Sequence, residues 1–322
     1  DAIVQACNEI IDGKFHDQFI VDPIQGGAGT STNMNANEVI ANRALEILGY
    51  EKSSYDIIHP NNHINMSQST NDVYPTAIKI TLYELIFKLK DSLRFLRDCF
   101  EEKAVEFKDV LKMGRTQLQD AVPMTLGQEF KTFAVMIDSD IYRLKKVQTL
   151  LKEVNLGATA IGTGINTKAS YQQKVISNLR DVTGVDYISA GDLIEATQDT
   201  ASFVHISGML KSVAIKISKI CNDLRLLSSG PRAGFNEINL PPMQPGSSIM
   251  PGKVNPVIPE VVNQVAFEVI GADATISIAS EHGQLQLNVF EPLIAYKLFT
   301  SIIMMRRAFQ SLGEKCVKGI TV

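Results

Sequence analysis

The chain has 322 residues, with 31 Lys and Arg against 35 Asp and Glu, a net charge of −4 and 45% hydrophobic content. Disorder needs low hydrophobicity and high net charge, and dedicated nucleic-acid or membrane-surface binders need a basic excess, so these classes are excluded. No stretch approaches 18 uninterrupted apolar residues and no basic-then-apolar leader opens the chain, so neither a membrane span nor a signal sequence is expected.

In chain order, the first unusual segment is a polar island, Gln25 to Asn37, rich in Gly, Ser, Thr and Asn. His59 and His63 follow, four residues apart, but Pro60 and two asparagines between them speak against a helix, and so against a zinc pair. A second island, Asn65 to Asp72, precedes residues 76–113, which contain neither proline nor glycine. There the apolar positions Ile78, Leu82, Leu85, Leu89, Leu93 and Leu96 step by three or four, the stripe of a helix. At 1.5 Å per residue it would be on the order of 55 Å long. A third island, Gly114 to Asp120, ends it.

Further helices are predicted over 128–155, 192–229, 259–282 and 293–315, with Gly208, Gly271 and Gly283 as points of weakness. Seven of the twelve prolines crowd between Pro231 and Pro259, and they enclose the fourth island, Gly246 to Pro256. Five long helices with short polar joints make an all-α bundle. The apolar run 259–279 exceeds what one chain would cover, so a homo-oligomer of bundles packed side by side is expected.

Cys7, Cys99, Cys221 and Cys316 are far apart and read as small buried hydrophobes in a reducing compartment. Gly162 to Asn166 begins like a dinucleotide fingerprint, but Thr167 stands where the third glycine belongs. Phosphate-loop, zinc-protease and hydrolase-elbow motifs do not occur.

The four islands could simply cap helices. Each holds more hydroxyls and amides than one cap uses, however, and neutral donors with one or two cations suit a small dicarboxylate that gains charge during reaction. The fourth is the sharpest, because Ser247, Ser248 and Lys253 lie in a loop bracketed by glycines and prolines that can close over a substrate.

GSSIMPGKVNP at 246–256 resembles the signature of the aspartase/fumarase superfamily of lyases. GTSTNMNANEVIANRA, NMSQSTND, GRTQLQDAVPMTLGQEF and SSGPRAGFNEINLP resemble its other blocks, and NLGATAIGTGIN at 155–166 is similar to its aspartase branch. The resemblance implies a central bundle of five long helices, assembled into a homotetramer with a twenty-helix core and active sites drawn from three subunits. It implies reversible deamination of L-aspartate to fumarate and ammonium, with no cofactor required and Mg²⁺ activation possible. Ser247 would be the general base that takes the Cβ proton through an aci-carboxylate intermediate. Thr30, Ser69, Thr70, Asn71, Thr116, Ser248 and Lys253 would bind substrate, with Asn255 holding the loop. Fumarate hydration, or a non-catalytic structural relative, is the alternative. The resemblance further implies a cytoplasmic protein with no nucleic-acid or membrane partner. Residues 1–65 would end an N-terminal domain, 66–322 would form the central bundle, and a C-terminal domain would be absent. Many relatives carry a histidine where this chain has Gln117, linked to a carboxylate falling at Glu260, so a histidine relay is not expected here.

Overall fold

The computed structural model describes residues 1–322. Nine helices dominate: α1 (Ala2–Ile11), α2 (Thr30–Ile47), α3 (Thr70–Glu106), α4 (Leu126–Gln148), α5 (Tyr171–Thr183), α6 (Leu193–Gln198), α7 (Ala201–Leu227), α8 (Val257–Glu281) and α9 (Glu291–Lys315). Strands are short. β1 (Leu111–Thr116) and β2 (Gln119–Thr125) form an antiparallel hairpin, and β3 (Glu153–Val154) pairs in parallel with β4 (Ile188–Ser189).

The five long predicted helices are α3, α4, α7, α8 and α9, with ends that differ from expectation. α3 starts six residues early and runs through Pro75, then stops at Glu106, so the predicted last turn is instead the approach to β1. Pro75 cannot donate to the Asn71 carbonyl four residues back. The Asn155 side-chain amide donates to it instead, at 3.0 Å. The buried stripe of α3 passes through Ile86, not Leu85, which is only half-buried. α4 starts early because Thr125 and Gln128 close a capping box. The predicted helix over 192–229 breaks at Asp199 and Thr200, where Asp199 turns extended and its carboxylate accepts from the Ala201 N–H. Gly208 and Gly271 interrupt nothing.

Three segments expected as loops have structure. Thr30 to Asn37, half of the first island, is the start of α2. The third island is the tip of the β1–β2 hairpin. Pro60–Ile64 forms a helical turn in which the His63 Nδ1 accepts from the His59 N–H. Proline at the first helical position lacks only a donor that would be idle there, which is why Pro60 starts this turn rather than preventing it.

The chain forms two compact units. The first comprises Asp1–Thr81, Leu150–Val204 and Ile276–Tyr296. There α1 packs on α2 through Ala6, Ala41, Ala44 and Leu45, and a second cluster gathers Val154, Leu156, Ile176 and Tyr187. The second comprises Leu82–Thr149, His205–Thr275 and Lys297–Val322, and it is the helical bundle. Phe100, Phe107, Phe130 and Phe133 stack between α3 and α4 with ring centroids 5.3–5.8 Å apart. Asn263 on α8 donates to Ser218 and Asn222 on α7. Asp273 on α8 pairs with Ser207 and Lys211 of α7. A Cβ on Gly313 of α9 would stand 2.7 Å from the Phe95 ring of α3, so these helices approach closely.

Counting unbroken apolar residues was too strict a test for α8. That helix is long and apolar enough to cross a membrane, with a window of mean hydropathy 1.3, and only 39% of the window is buried within the chain. Its hydrogen bonds to α7 are those of a bundle helix. Cys99, Cys221 and Cys316 are buried as expected, Cys7 only partly, and all four are free.

Candidate active site

Four of the residues singled out by sequence lie in the first unit, at the N-terminal ends of α2 and α3. α2 is capped by Gly29 at φ 92°, and a Cβ there would stand 2.6 Å from the Tyr74 ring of α3, so glycine is required on both counts. Thr30 is exposed, and its hydroxyl donates to the Gly27 carbonyl at 2.8 Å. One turn later Asn33 donates to Thr70 Oγ1 at 2.9 Å and to the Asn65 side chain at 3.2 Å, and Asn37 donates to the same Asn65 oxygen. This buried amide network ties the first and second islands together. Thr70 Oγ1 accepts within it, so its own proton remains available to a ligand.

Ser69 and Asp72 cap α3 reciprocally. The Ser69 Oγ accepts from the Asn71 N–H, and Asp72 accepts from the Ser69 N–H at 3.0 Å. The cap function anticipated for the islands is therefore real here. Asp72 does more. It has no solvent exposure, and it also accepts from the Gly157 and Thr159 N–H groups at 3.1 and 2.9 Å. Burial pushes its carboxyl above the ordinary range, while those backbone donors pull the other way. Asn71 donates to the Ala160 carbonyl at 2.8 Å, which leaves its side-chain oxygen as an acceptor. Residues 155–160 are thus bound to the start of α3 by Asn71, Asp72 and Asn155. Asn33, Asn65, Asp72 and Asn155 were not singled out from sequence. The Ser-x-x-Asp spacing of 69 and 72 was the available signal for Asp72; Asn33, Asn65 and Asn155 had only their places in the first island, the second island and the 155–166 block.

The remaining five lie in the second unit. Thr116 is exposed at the end of β1, opposite Gln119. Between them Gln117 and Leu118 both take positive φ, 53° and 62°, a turn that favours glycine and asparagine. The hairpin is held from behind by ion pairs. Arg115 meets Glu237 at 2.6 Å and stacks over Phe235 at 4.4 Å. Lys112, with its side chain nearly buried, bridges Glu237 and Glu129. Burial pushes the Glu237 carboxyl up, but the two cations together outweigh it and hold the group below its usual range.

Ser247 is half-buried, and its Oγ accepts from the backbone N–H groups of Ile249 and Met250, both at 3.2 Å. Asn255 donates to the Gly246 carbonyl, closing the loop on itself. A Cβ on Gly246 would overlap the Lys253 carbonyl, so no other residue fits there. Ser248 and Lys253 are exposed. No hydrogen bond joins this loop to Thr116. Gln117 sits at the hairpin tip, and Glu260 lies in the first turn of α8.

A cavity of about 660 Å³ in the second unit is lined by Ser92, Arg306, Arg307 and Ser311 among others, and by none of the expected site residues. No group of three His, Cys, Asp or Glu side chains is placed to hold a metal ion.

The profile of a family described as lyase matches residues 1–271. An aspartate ammonia-lyase of Helicobacter pylori is 63% identical over 320 residues, which are 99% of this chain and 68% of that protein. One of Escherichia coli is 58% identical over 322 residues, 100% of this chain and 67% of that protein. Among solved structures, a fumarate lyase:delta crystallin from Brucella melitensis bound to cobalt matches with a TM-score of 0.98 and 57% identity, over 100% of this chain and 70% of that one. A class II fumarase from Schistosoma mansoni matches with a TM-score of 0.96 and 36% identity, over 100% of this chain and 71% of that one.

Proposed function

The chain belongs to the lyase family, within the aspartase/fumarase superfamily, and on that premise we propose that it interconverts L-aspartate with fumarate and ammonium. The observation that carries the mechanism is the Ser247 hydroxyl, which rests on two backbone N–H donors inside a loop closed by Asn255. A serine is a weak base because its alkoxide is unstable in water. Two fixed N–H groups aimed at its oxygen lower that cost.

The Cβ proton of aspartate is far less acidic than any ordinary side chain. Its removal next to a carboxylate spreads charge into an aci-carboxylate, so donors placed where that charge grows are the main source of rate. One such donor contributes roughly 3–4 kcal/mol. Ser248 and Lys253 are in the same loop and are the candidates. Thr70, whose proton is uncommitted, suits the other carboxylate. The Asn71 side-chain oxygen, left free by its bond to Ala160, suits the amino group and then the departing ammonium. Thr30 must first release Gly27 to donate, and Thr116 adds a hydroxyl from the hairpin tip.

The residues assigned here fall into the two compact units. In this reading the working protein is a homotetramer, whose neighbouring subunits complete each site, and it acts in the cytoplasm. Fumarate hydration is the competing reading. The 63% and 58% identities to aspartate ammonia-lyases, against 36% to a fumarase, favour deamination. Absorbance at 240 nm separates them: fumarate forms from L-aspartate in the proposed case. Turnover of L-malate with none of L-aspartate would overturn it.

A further inference from the structure

Within the second unit, α3 and α9 pack against each other at Phe95 and Gly313, and the groove of about 660 Å³ lies between them. On α9 its lining falls in two rows at four-residue spacing, Arg307, Ser311 and Lys315 in one and Arg306, Gln310 and Glu314 in the other. Three cations thus face one carboxylate, on a chain whose net charge is −4.

The two arginines are unpaired. Arg43, Arg94, Arg97, Arg115, Arg143 and Arg180 each meet a carboxylate, whereas Arg306 and Arg307 meet none, and Glu314 joins no ion pair. Arg307 is exposed and Arg306 is partly buried. The Arg306 Nε meets neither solvent nor partner, while its terminal nitrogens remain open to solvent and equally without a partner. A guanidinium partly withdrawn from water with no counter-ion is costly, and an anion at its open edge would offset that cost. Helix stabilisation does not account for the pair. A cation complements the helix dipole only in the last turn, which explains Lys315 but not arginines two turns earlier. No acidic residue stands three or four positions from either arginine.

We propose that this groove binds the diphosphate group of a small molecule, free or carried on a nucleoside. A guanidinium presents paired N–H donors that match two phosphate oxygens, and two adjacent guanidiniums suit two linked phosphates better than a single carboxylate. Ser311 and Gln310, whose side chains bond to nothing else in the chain, add neutral donors. The volume is that of a small-molecule site rather than of a lone ion. None of the residues assigned to the dicarboxylate lines the groove, so the diphosphate site stands or falls apart from that reading.

Calorimetry on the whole protein, with a metal chelator in the buffer, measures affinity for inorganic pyrophosphate and for adenosine diphosphate. Succinate is present throughout, so that a dicarboxylate site is occupied and takes no phosphate. Arg306→Gln and Arg307→Gln should each weaken pyrophosphate binding about tenfold, and Glu314→Gln should tighten it a few-fold by removing the one like charge. A gain of affinity cannot come from a misfolded protein. Lys108→Gln, which removes an exposed positive charge elsewhere in the unit, should change nothing. Tighter binding of adenosine diphosphate than of pyrophosphate assigns the group to a nucleotide; equal or weaker binding assigns it to the free diphosphate. A wild-type protein that binds neither overturns the proposal. So does unchanged affinity in both arginine variants, which would put the bound phosphate elsewhere, or an equal loss in Lys108→Gln, which would make the attraction unspecific.

Discussion

Ser247 and Glu291 show how surroundings decide what a residue does. In the proposed mechanism two backbone donors let Ser247 serve as the base, so Ser247→Ala should lower kcat at least about a thousandfold while succinate affinity changes only a few-fold. Single-turnover kinetics with calorimetry on the correctly folded variant checks this. Glu291, at the first turn of α9, is 3% exposed, and burial pushes its carboxyl up to about 8 against the pull of Lys79. Its folded pKa lies above the ordinary 4.5, so the folded state keeps the proton longer, and stability falls as pH rises from about 4.5 to 8. The loss is on the order of 5 kcal/mol when complete. Glu291→Gln should remove that slope and be the more stable protein at pH 8.5; parallel urea denaturation curves at pH 5 and 8.5 measure it. Neither property is legible at the residue itself. Glu291 reads as a favourable acid at a helix start, and only its burial changes its meaning.

At the scale of elements, what was readable depended on whether the signal was local. The stripe from Ile78 to Leu96 and the absence of breakers over 76–113 and 128–156 identified the long helices, because a helix is decided by residues three and four apart. Its ends were misplaced where a distant residue intervened. Pro75 normally closes off a helix, yet α3 continues through it because Asn155 takes the orphaned carbonyl. The hairpin was hidden for a related reason. Its tip, Gln117 and Leu118, carries none of the Asn-Gly or Asp-Gly chemistry that marks such a turn, and the two left-handed residues are held by the Arg115, Lys112, Glu237 and Glu129 pairs behind them. Relieving that strain should show: Leu118→Gly is expected to raise stability by about 1 kcal/mol, read as a higher urea midpoint at unchanged slope. Leu118 is 65% exposed, so little packing is lost in exchange.

For the whole molecule, the deciding feature is the apolar surface left on α8. Phe267, Ile270 and Ile278 lie on one face of that helix at 62%, 39% and 61% exposure, more than a water-facing helix normally shows. In the proposed homotetramer a second copy covers that face. Phe267→Asp should therefore dissociate the proposed tetramer, seen as a smaller mass in sedimentation equilibrium, with the helical circular dichroism largely retained. A full-sized oligomer in that variant would place the interface elsewhere.

The helical class, the five long helices and the polar islands between them followed from residue order alone, because periodicity, breakers and motif spelling act over short distances along the chain. The tertiary structure decided the rest. It set which hydrogen-bonding atoms of the island residues are spent on the fold and which are left uncommitted, as Thr70 and Asn71 show. It also buried Asp72 and Glu291 and left the Arg306 Nε without a partner. Burial and pairing depend on what the chain brings close from far away in sequence, here Asn71 against Ala160, and no local pattern encodes that distance.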